Sequence, residues 1–259
     1  MKKLFLQSVV LCFISLLLLT SCMGEGPNVQ SGQAFGIVRF DYKSGKNLLD
    51  VADDVAFYNI RFKEAYDDDC FFITYEINYD KPENSLENVD ACGYFEVDIY
   101  DKIDAEKRYL YPVLRDTSVV MLNELPVVEP FLDGLITYLQ GKLFMVSTLQ
   151  MPTDQKMDWD ISYDRDNMMS EEYGQRYYNV FLRAYIRDKE GTNSKDLVAV
   201  VNAFEMKNYL EIVADKEKAF GASMFSIRVN YPSAINENGK ITWNHKDIKN
   251  FIIADFLKE

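Results

Sequence analysis

The amino-acid sequence predicts a mainly β protein. Segments that alternate apolar and polar residues recur along most of the chain, and this period of two is typical of strands with one buried face. Polar clusters rich in Gly, Asn and Asp separate these segments, and stretches with helical periodicity are few. The predicted strands are Phe35–Tyr42, Val55–Phe62, Phe71–Tyr79, Tyr94–Tyr100, Thr137–Leu149, Met157–Tyr163, Tyr177–Arg187, Leu197–Phe204, Phe225–Tyr231 and Lys240–Trp243.

Two segments near the C-terminus are predicted as short helices. In Glu205–Ala219 the apolar residues fall at i, i+3, i+4 and i+7, and Gly221 follows as a stop signal. The second helix would begin after Asn244 and Asp247, which could cap it. A terminal strand is the alternative for this second segment, because the run "FIIADF" fits both structures.

The N-terminus carries the most specific pattern in the chain. A basic "MKK" is followed by an apolar run of sixteen residues, from Leu4 to Leu19, which is short of the about 20 that a membrane span requires. The run ends in "LTSC", which resembles the lipobox of bacterial lipoproteins. That resemblance implies that residues 1–21 are a signal peptide and that Cys22 becomes the lipid-bearing first residue. A plain signal peptide or an uncleaved anchor are the alternatives.

Composition limits the partners of the mature chain. Cleavage before Cys22 leaves 238 residues, of which 26 are basic and 41 acidic, for a net charge of −15. Such a chain disfavours nucleic acid and anionic phospholipid, because both bind through basic patches. The full sequence contains 36 aromatic residues and is 48% hydrophobic, which excludes a disordered chain. Residues 22–33, rich in Gly and polar residues, are predicted to be a flexible tether.

Two cysteines, Cys70 and Cys92, remain after Cys12 leaves with the signal peptide and Cys22 takes the lipid. The cell envelope permits a disulfide. However, each of the two cysteines precedes a predicted strand, and an antiparallel hairpin would place them about 25–30 Å apart. This exceeds the about 7 Å that a disulfide tolerates between Cα atoms, so a bridge would need another strand arrangement and the pairing stays open.

The order of segments is similar to that of the NigD-like lipoproteins of Gram-negative gut and oral bacteria. "FGIVRFDYKSGKNLL", "VAFYNIRF", "DDDCFFITYEINYD" and "GYFEVDIYDKID" look like barrel strands, whereas "GLITYLQGKLFMVSTLQM", "YYNVFLRAYIRD", "VNAFEM" and "FSIRVNY" look like sandwich strands. The resemblance implies a small OB-like β-barrel at residues 34–104 and a β-sandwich at 105–259. It also implies a non-enzymatic envelope protein with a weak association with bacteriocin immunity. The acidic loop 80–91 and the tail after Tyr231 depart from the pattern.

Catalytic motifs are scarce in this sequence. The sole histidine, His245, lies near the C-terminus and is interpreted as an exposed surface residue. A nucleophile triad requires a positioned base, and a zinc site requires several nitrogen or sulfur ligands. There is no Cys-x-x-Cys pair and no phosphate-binding glycine loop. We therefore predict no catalytic residue, no cofactor and no enzymatic activity.

Two acidic clusters permit other interpretations. Asp67, Asp68 and Asp69 precede a strand and are weak calcium candidates, with an exposed turn as the simpler interpretation. A second cluster in "MDWDISYDRDN" alternates with apolar residues, so its aspartates should share the solvent face of a strand. If the strand that carries Arg183 and Arg187 is its antiparallel neighbour, cross-strand ion pairs would follow. Calcium binding and a carboxylate-dependent hydrolase are the lesser alternatives.

Exposed aromatic residues suggest a ligand surface, because glycans stack on Trp and Tyr rings. Trp159 should be part of the core. The possible ligand contacts, from one predicted outer face and the following turn, are Phe181, Arg183, Tyr185, Arg187 and Trp243.

Two hypotheses of function follow. The first is a lipid-anchored interaction module of the cell envelope, in the manner of a bacteriocin-immunity protein, with an unknown protein partner. The second is a surface glycan-binding lipoprotein that serves polysaccharide uptake. Met23 occupies the position where Asp is associated with inner-membrane retention, so the outer membrane is favoured, on its periplasmic face or at the cell surface.

Overall fold

The computed structural model describes residues 28–152, 155–187 and 196–257, and it confirms the mainly β fold. The predicted signal peptide and the lipidation site, Cys22, lie outside these ranges. Within them, no helix has the length and apolar character needed to cross a membrane. The elements are β1 (Val29–Asp41), β2 (Lys46–Ala52), β3 (Val55–Tyr58), β4 (Cys70–Asn78), α1 (Leu86–Cys92), β5 (Phe95–Tyr111), β6 (Glu124–Leu125), β7 (Val127–Glu129), β8 (Ile136–Leu139), β9 (Lys142–Met151), β10 (Met157–Ser162), β11 (Met169–Glu172), β12 (Gln175–Ile186), β13 (Asp196–Glu205), α2 (Lys207–Ala219), β14 (Met224–Ile235) and β15 (Ile241–Ile252), with 3-10 turns at Ile60–Phe62, Pro82–Asn84 and Ile253–Asp255.

The helices differ in part from the prediction. The helix predicted at Glu205–Ala219 is confirmed as α2. The second predicted helix is wrong, because the segment after Asn244 belongs to β15, which pairs antiparallel with β14 and stacks Phe251 on Phe225 with ring centroids 5.2 Å apart. The strand alternative is therefore the correct one, and pairing with a distant strand decides it.

The connection predicted as a loop at residues 80–91 contains α1. Ser85 caps this helix, since its side chain accepts a hydrogen bond from the backbone N–H of Asn88 at 3.4 Å, and Gly93 ends it with a φ of 82°. None of its seven residues is buried, so this short helix packs no apolar face against the core.

The predicted tether, residues 22–33, is shorter than expected. Residues 22–27 lie outside the described ranges, but β1 already begins at Val29 and pairs antiparallel with β4, from Val29 opposite Asn78 to Gln33 opposite Thr74. Gly32 lies beneath the ring of Tyr75, where an added Cβ would come within 3.0 Å of the phenolic oxygen. This glycine therefore permits close packing of the strand.

The N-terminal part is OB-like. Its strands pair in the cyclic order β1, β2, β3, β5, β4 and back to β1. Gly36 of β1 allows this closure, because a Cβ there would lie 2.4 Å from Cγ of Leu49 in β2. The core between these strands comprises Val38, Leu49, Phe57, Phe62, Phe71, Ile73, Ile77, Val97 and Ile99.

One strand joins the two parts of the chain. β5 pairs with β3 and β4 in its first two thirds, up to Ala105 opposite Cys70, and then with β13 over Glu106–Tyr109 and with β10 at Leu110–Tyr111. The boundary predicted between residues 104 and 105 thus lies within a continuous strand.

The C-terminal part is a sandwich of two sheets. One sheet contains β7, β8, β9 and β13, and the other contains β6, β10, β11, β12, β14 and β15, with β5 contributing to both. The apolar residues between them form the largest cluster of the described chain, and α2 adds Tyr209, Leu210 and Val213 to it. Trp159, predicted as a core residue, is buried there.

The OB-like part packs on the outer face of the first sandwich sheet. Phe35 and Phe72 from the OB-like part meet Phe144 of β9, and the ring centroids of Phe35 and Phe144 are 5.3 Å apart. Val146, Val201 and Ala203 complete this contact, to which we refer as the interdomain cluster. The two parts are therefore joined by apolar packing as well as by β5.

The two cysteines within the described chain are free. Cys70 lies opposite Ala105, whereas the helix that ends at Cys92 lies beyond the other end of the β4–β5 pair, where Ile77 faces Val97. Their predicted separation to opposite ends is confirmed. Burial raises the pKa of the Cys70 thiol to about 12.

Candidate interaction surface

The strands expected to carry an acid–arginine ladder are antiparallel neighbours. Asp160 of β10 lies opposite Arg183 of β12, and Asp158 lies opposite Tyr185. The alternate residues, among them Trp159 and Ile161, are buried in the sandwich core as predicted. The polar side chains therefore share the outer face of this sheet.

The outer face is not simply solvated, and in this the prediction is wrong. Arg183 and Asp160 are each only 2% exposed. Residues 112–126, which we call the crossing segment, run from the end of β5 to the start of β7 and include the short strand β6. On the way they cover the outer face of β10 and β12. β6 pairs with β12 at Ala184 and Tyr185.

A buried ion pair holds the crossing segment to the sheet. The guanidinium of Arg183 donates two hydrogen bonds of 2.6 Å to the carboxylate of Glu124, whose side chain is fully buried. The same carboxylate accepts the backbone N–H of Met121 at 2.8 Å. Arg115 of the crossing segment forms an ion pair with Asp160. The charges of the outer face are therefore used to fix this segment.

Backbone carbonyls of the crossing segment are bound as well. Arg183 donates to the carbonyls of Asp116, at 3.0 Å, and Val119, at 2.6 Å. The indole N–H of Trp243 in β15 donates to the carbonyl of Thr117 at 2.9 Å. Two side chains of the sheet thus satisfy three carbonyls of a segment that has little regular structure of its own.

One part of the predicted ladder is present at the edge of the sheet. Arg187 is exposed and binds the carboxylate of Asp158, with one contact of 2.9 Å, and Arg108 of β5 reaches the same carboxylate at 3.1 Å. Hydrogen bonds from Arg187 and then from Arg108 lower the pKa of Asp158, although partial burial opposes this.

The five residues predicted as ligand contacts lie on this face, but they do not form an open platform. Phe181 meets Trp243 edge-on, with centroids 5.6 Å apart and an interplanar angle of 78°, and the guanidinium of Arg183 lies 5.7 Å above Trp243. Tyr185 is half-buried and Arg187 is occupied by Asp158. Their role as ligand contacts stays a prediction.

The crossing segment presents apolar side chains to solvent. Leu122 is 84% exposed and Val113 is 72% exposed, and Val119 is also exposed. A shallow, wide-open cavity of about 700 Å³ lies beside Leu122, with Met121, Leu125 and Ile186 among its other lining residues. This surface was not predicted from the sequence, although the apolar run "VVMLNELPVV" between two polar stretches is a visible signal.

The weak calcium candidates serve other contacts. Asp67 accepts the backbone N–H of Phe40 at 3.1 Å, and Asp69 accepts that of Tyr66 at 2.8 Å. Asp68 binds Lys142 at 2.6 Å, and although burial raises the pKa of this carboxyl, Lys142 and a second lysine lower it overall. Within the described ranges, no group of three or more His, Cys, Asp and Glu side chains could hold a metal ion.

Comparison with known proteins finds a match for the N-terminal part of the chain. Residues 26–103 match the family model of a lipoprotein OB domain. This match, which ends within β5, confirms the predicted resemblance to lipoproteins with an OB-like domain. A comparison with curated proteins gives no match.

Several solved structures are similar to this chain. An uncharacterised protein from Parabacteroides merdae has a TM-score of 0.69 at 21% identity over 86% of this chain and 99% of its own. A Bacteroides fragilis protein described as a lipoprotein has a TM-score of 0.54 at 13% identity, over 85% and 98%. A NigD-like immunity protein from Bacteroides caccae has a TM-score of 0.44 at 15% identity, over 85% and 94%.

Proposed function

We propose that this protein is a lipid-anchored, non-enzymatic binding module of the cell envelope that engages a protein partner through the crossing segment. The observation that carries the proposal is the buried Arg183–Glu124 pair, which fixes a segment whose own apolar side chains face solvent. Desolvating two charges has a large free-energy cost, which only good geometry offsets. A segment held in this way needs little reordering when it binds, and so it loses less entropy on association.

Charge and shape indicate the chemistry of the partner. The mature chain has a net charge of −15, which attracts basic proteins and steers their encounter. The cavity beside Leu122 could take an apolar side chain of the partner, and the only carboxylate among its lining residues, Glu124, is neutralised by Arg183. We therefore expect an apolar contact residue flanked by basic residues. The resemblance to NigD-like lipoproteins makes a bacteriocin-type protein one such partner, and glycan binding is the alternative.

Replacement of Leu122 by glutamate is expected to reduce partner recovery by about tenfold, because a charge would enter the centre of an apolar contact. The measurement is a pull-down from native membranes with quantitative mass spectrometry. Leu197→Glu is the matched control, since Leu197 is also exposed but lies on β13. A basic protein lost with Leu122→Glu and kept with Leu197→Glu supports the proposal. Equal recovery with both variants, or recovery of polysaccharide alone, contradicts it.

The anchor is tested separately. The Cys22→Ala variant is expected to leave the membrane fraction or to accumulate as a precursor that retains the signal peptide, because the thiol that accepts the lipid is missing. Fractionation followed by mass spectrometry of the intact chain distinguishes these products. Mature protein that stays fully in the membrane fraction of this variant would rule out acylation at Cys22.

A further inference from the structure

A second, polar cleft lies in the OB-like part, away from the crossing segment. It has a volume of about 480 Å³, within the range of about 300–1,000 Å³ that is usual for small-molecule sites. One wall is the β1–β2 turn, with Lys43 and Lys46, and the other is the β4–β5 connection, with Asn88 and Tyr94. Nothing in the sequence analysis pointed to this cleft.

The wall formed by the β4–β5 connection is held firmly. Asn84 is 2% exposed, and its amide donates to the carbonyls of Asn78 and Glu96 and accepts the backbone N–H of Glu96, all within 2.9 Å. This side chain thus takes the place of a strand partner for β5. Across the cleft, the ammonium of Lys43 donates to the carbonyl of Ala91 at 2.9 Å. Contacts within the chain therefore hold the two walls relative to each other.

Lys46 is fixed at the base of the cleft by two tyrosines. Its ammonium donates to the hydroxyl of Tyr94 at 2.6 Å and lies 4.1 Å above the ring centroid of Tyr58. The hydrogen bond to Tyr94 raises the pKa of Lys46 despite partial burial, so the group stays charged. The cleft consequently contains an oriented ammonium and the phenol of Tyr94.

The remaining lining groups decide the class of ligand. Three carboxylates, those of Asp41, Glu83 and Glu96, outnumber the two lysines, so a phosphate, a nucleic acid or a uronic acid would be repelled. The hydroxyl of Ser44 and the amide of Asn88 add further groups that can donate and accept. Ammonium and carboxylate groups, together with a hydroxyl, an amide and the phenol of Tyr94, provide hydrogen-bond donors and acceptors that match the hydroxyl groups of a neutral sugar.

We propose that this cleft binds a short neutral oligosaccharide. The loops that form it correspond to those with which OB folds commonly bind oligosaccharides and oligonucleotides, and the excess of carboxylates favours the former. The proposal is independent of the protein-partner surface, because the two sites lie in different parts of the chain and share no residue. Under this proposal, glycans bind in the OB-like part and not on the outer face of the sandwich.

Saturation-transfer NMR with the soluble mature chain tests the proposal. The probes are a maltose-type hexasaccharide, an N-acetylglucosamine hexasaccharide and an oligogalacturonate of the same length. We expect saturation transfer to at least one neutral probe, and at least about tenfold weaker binding of the oligogalacturonate at low salt, because its carboxylates meet those of the cleft. Absence of transfer to both neutral probes, or preference for the oligogalacturonate, overturns the proposal.

Variants locate the binding. Lys46→Gln and Tyr94→Phe are each expected to weaken the binding of the neutral probe by about tenfold, since each removes a polar group of the cleft. Lys249→Gln and Tyr109→Phe, both at exposed positions in the sandwich, serve as matched controls. If Lys46→Gln lowers the unfolding temperature, the exposed Lys43→Gln replaces it. Unchanged binding in all cleft variants contradicts the proposal, and Leu122→Glu should bind the probe as the wild type does.

Discussion

Replacement of Arg183 by methionine is expected to destabilise the protein by about 3–5 kcal/mol, because it leaves the carboxylate of Glu124 buried without its partner. The carbonyls of Asp116 and Val119 also lose their donor. The crossing segment should then detach from the sheet. Urea unfolding followed by tryptophan fluorescence measures the loss of stability, and it also reports the segment directly, since Trp243 contacts both Arg183 and Thr117.

Two controls distinguish the buried pair from a general effect of charge. Arg187→Met breaks a more exposed pair on the same strand and should cost only about 0.2–1 kcal/mol. The double variant Arg183→Met with Glu124→Leu removes both buried charges and should recover much of the lost stability. If the double variant is no more stable than Arg183→Met alone, the penalty does not come from an unpaired carboxylate. Variants that detach the crossing segment from the sheet should also bind the protein partner less tightly.

Alternation along single strands was sufficient to predict the core. On β10 the residues Trp159 and Ile161 were assigned to the buried face from a period of two, and they are buried. The pattern also gave the consequence of pairing these two strands, and β10 and β12 are indeed antiparallel neighbours, with Asp160 opposite Arg183. Local pattern therefore gives the inner face of a sheet, because burial there depends on residues that are close in sequence.

The outer face could not be predicted in this way. Whether Arg183 meets water or protein depends on the crossing segment, which lies about sixty residues earlier in the chain and has hardly any regular structure. The local sequence around an arginine that alternates with apolar residues is the same whether its side chain faces water or is covered by another segment. The one available signal was the apolar run that precedes β7, which would be unusual for a solvated loop.

The polar cleft was missed for a similar reason. Lys46 and Tyr94 are 48 residues apart, and the helix between them, α1, is only seven residues long and buries none of them. The N-terminal end of β1 was assigned to a tether because glycine and polar residues are typical of linkers. Its pairing with β4 is a tertiary effect, and so is the packing of Gly32 under Tyr75. Composition alone does not distinguish a flexible tether from the first residues of a paired strand.

Replacement of Phe144 by alanine is expected to destabilise the protein by about 3–5 kcal/mol and to separate the unfolding of its two parts. Phe144 is fully buried in the interdomain cluster, so its loss leaves a cavity between the OB-like part and the sandwich. β5 would still connect them, but the packing between Phe35 and β9 would be lost. We expect a single unfolding transition in the wild type, because this apolar contact makes each part depend on the other.

The positions of the two tryptophans make it possible to follow the unfolding of the two parts separately. Both tryptophans, Trp159 and Trp243, lie in the sandwich, so fluorescence reports that part only, whereas far-ultraviolet circular dichroism reports both parts. The two signals should coincide in the wild type and separate in Phe144→Ala. Phe144→Leu, which keeps most of the apolar volume, should shift the midpoint less and keep the signals together. Coincident transitions in Phe144→Ala would indicate that the continuous strand β5, rather than the interdomain cluster, couples the two parts.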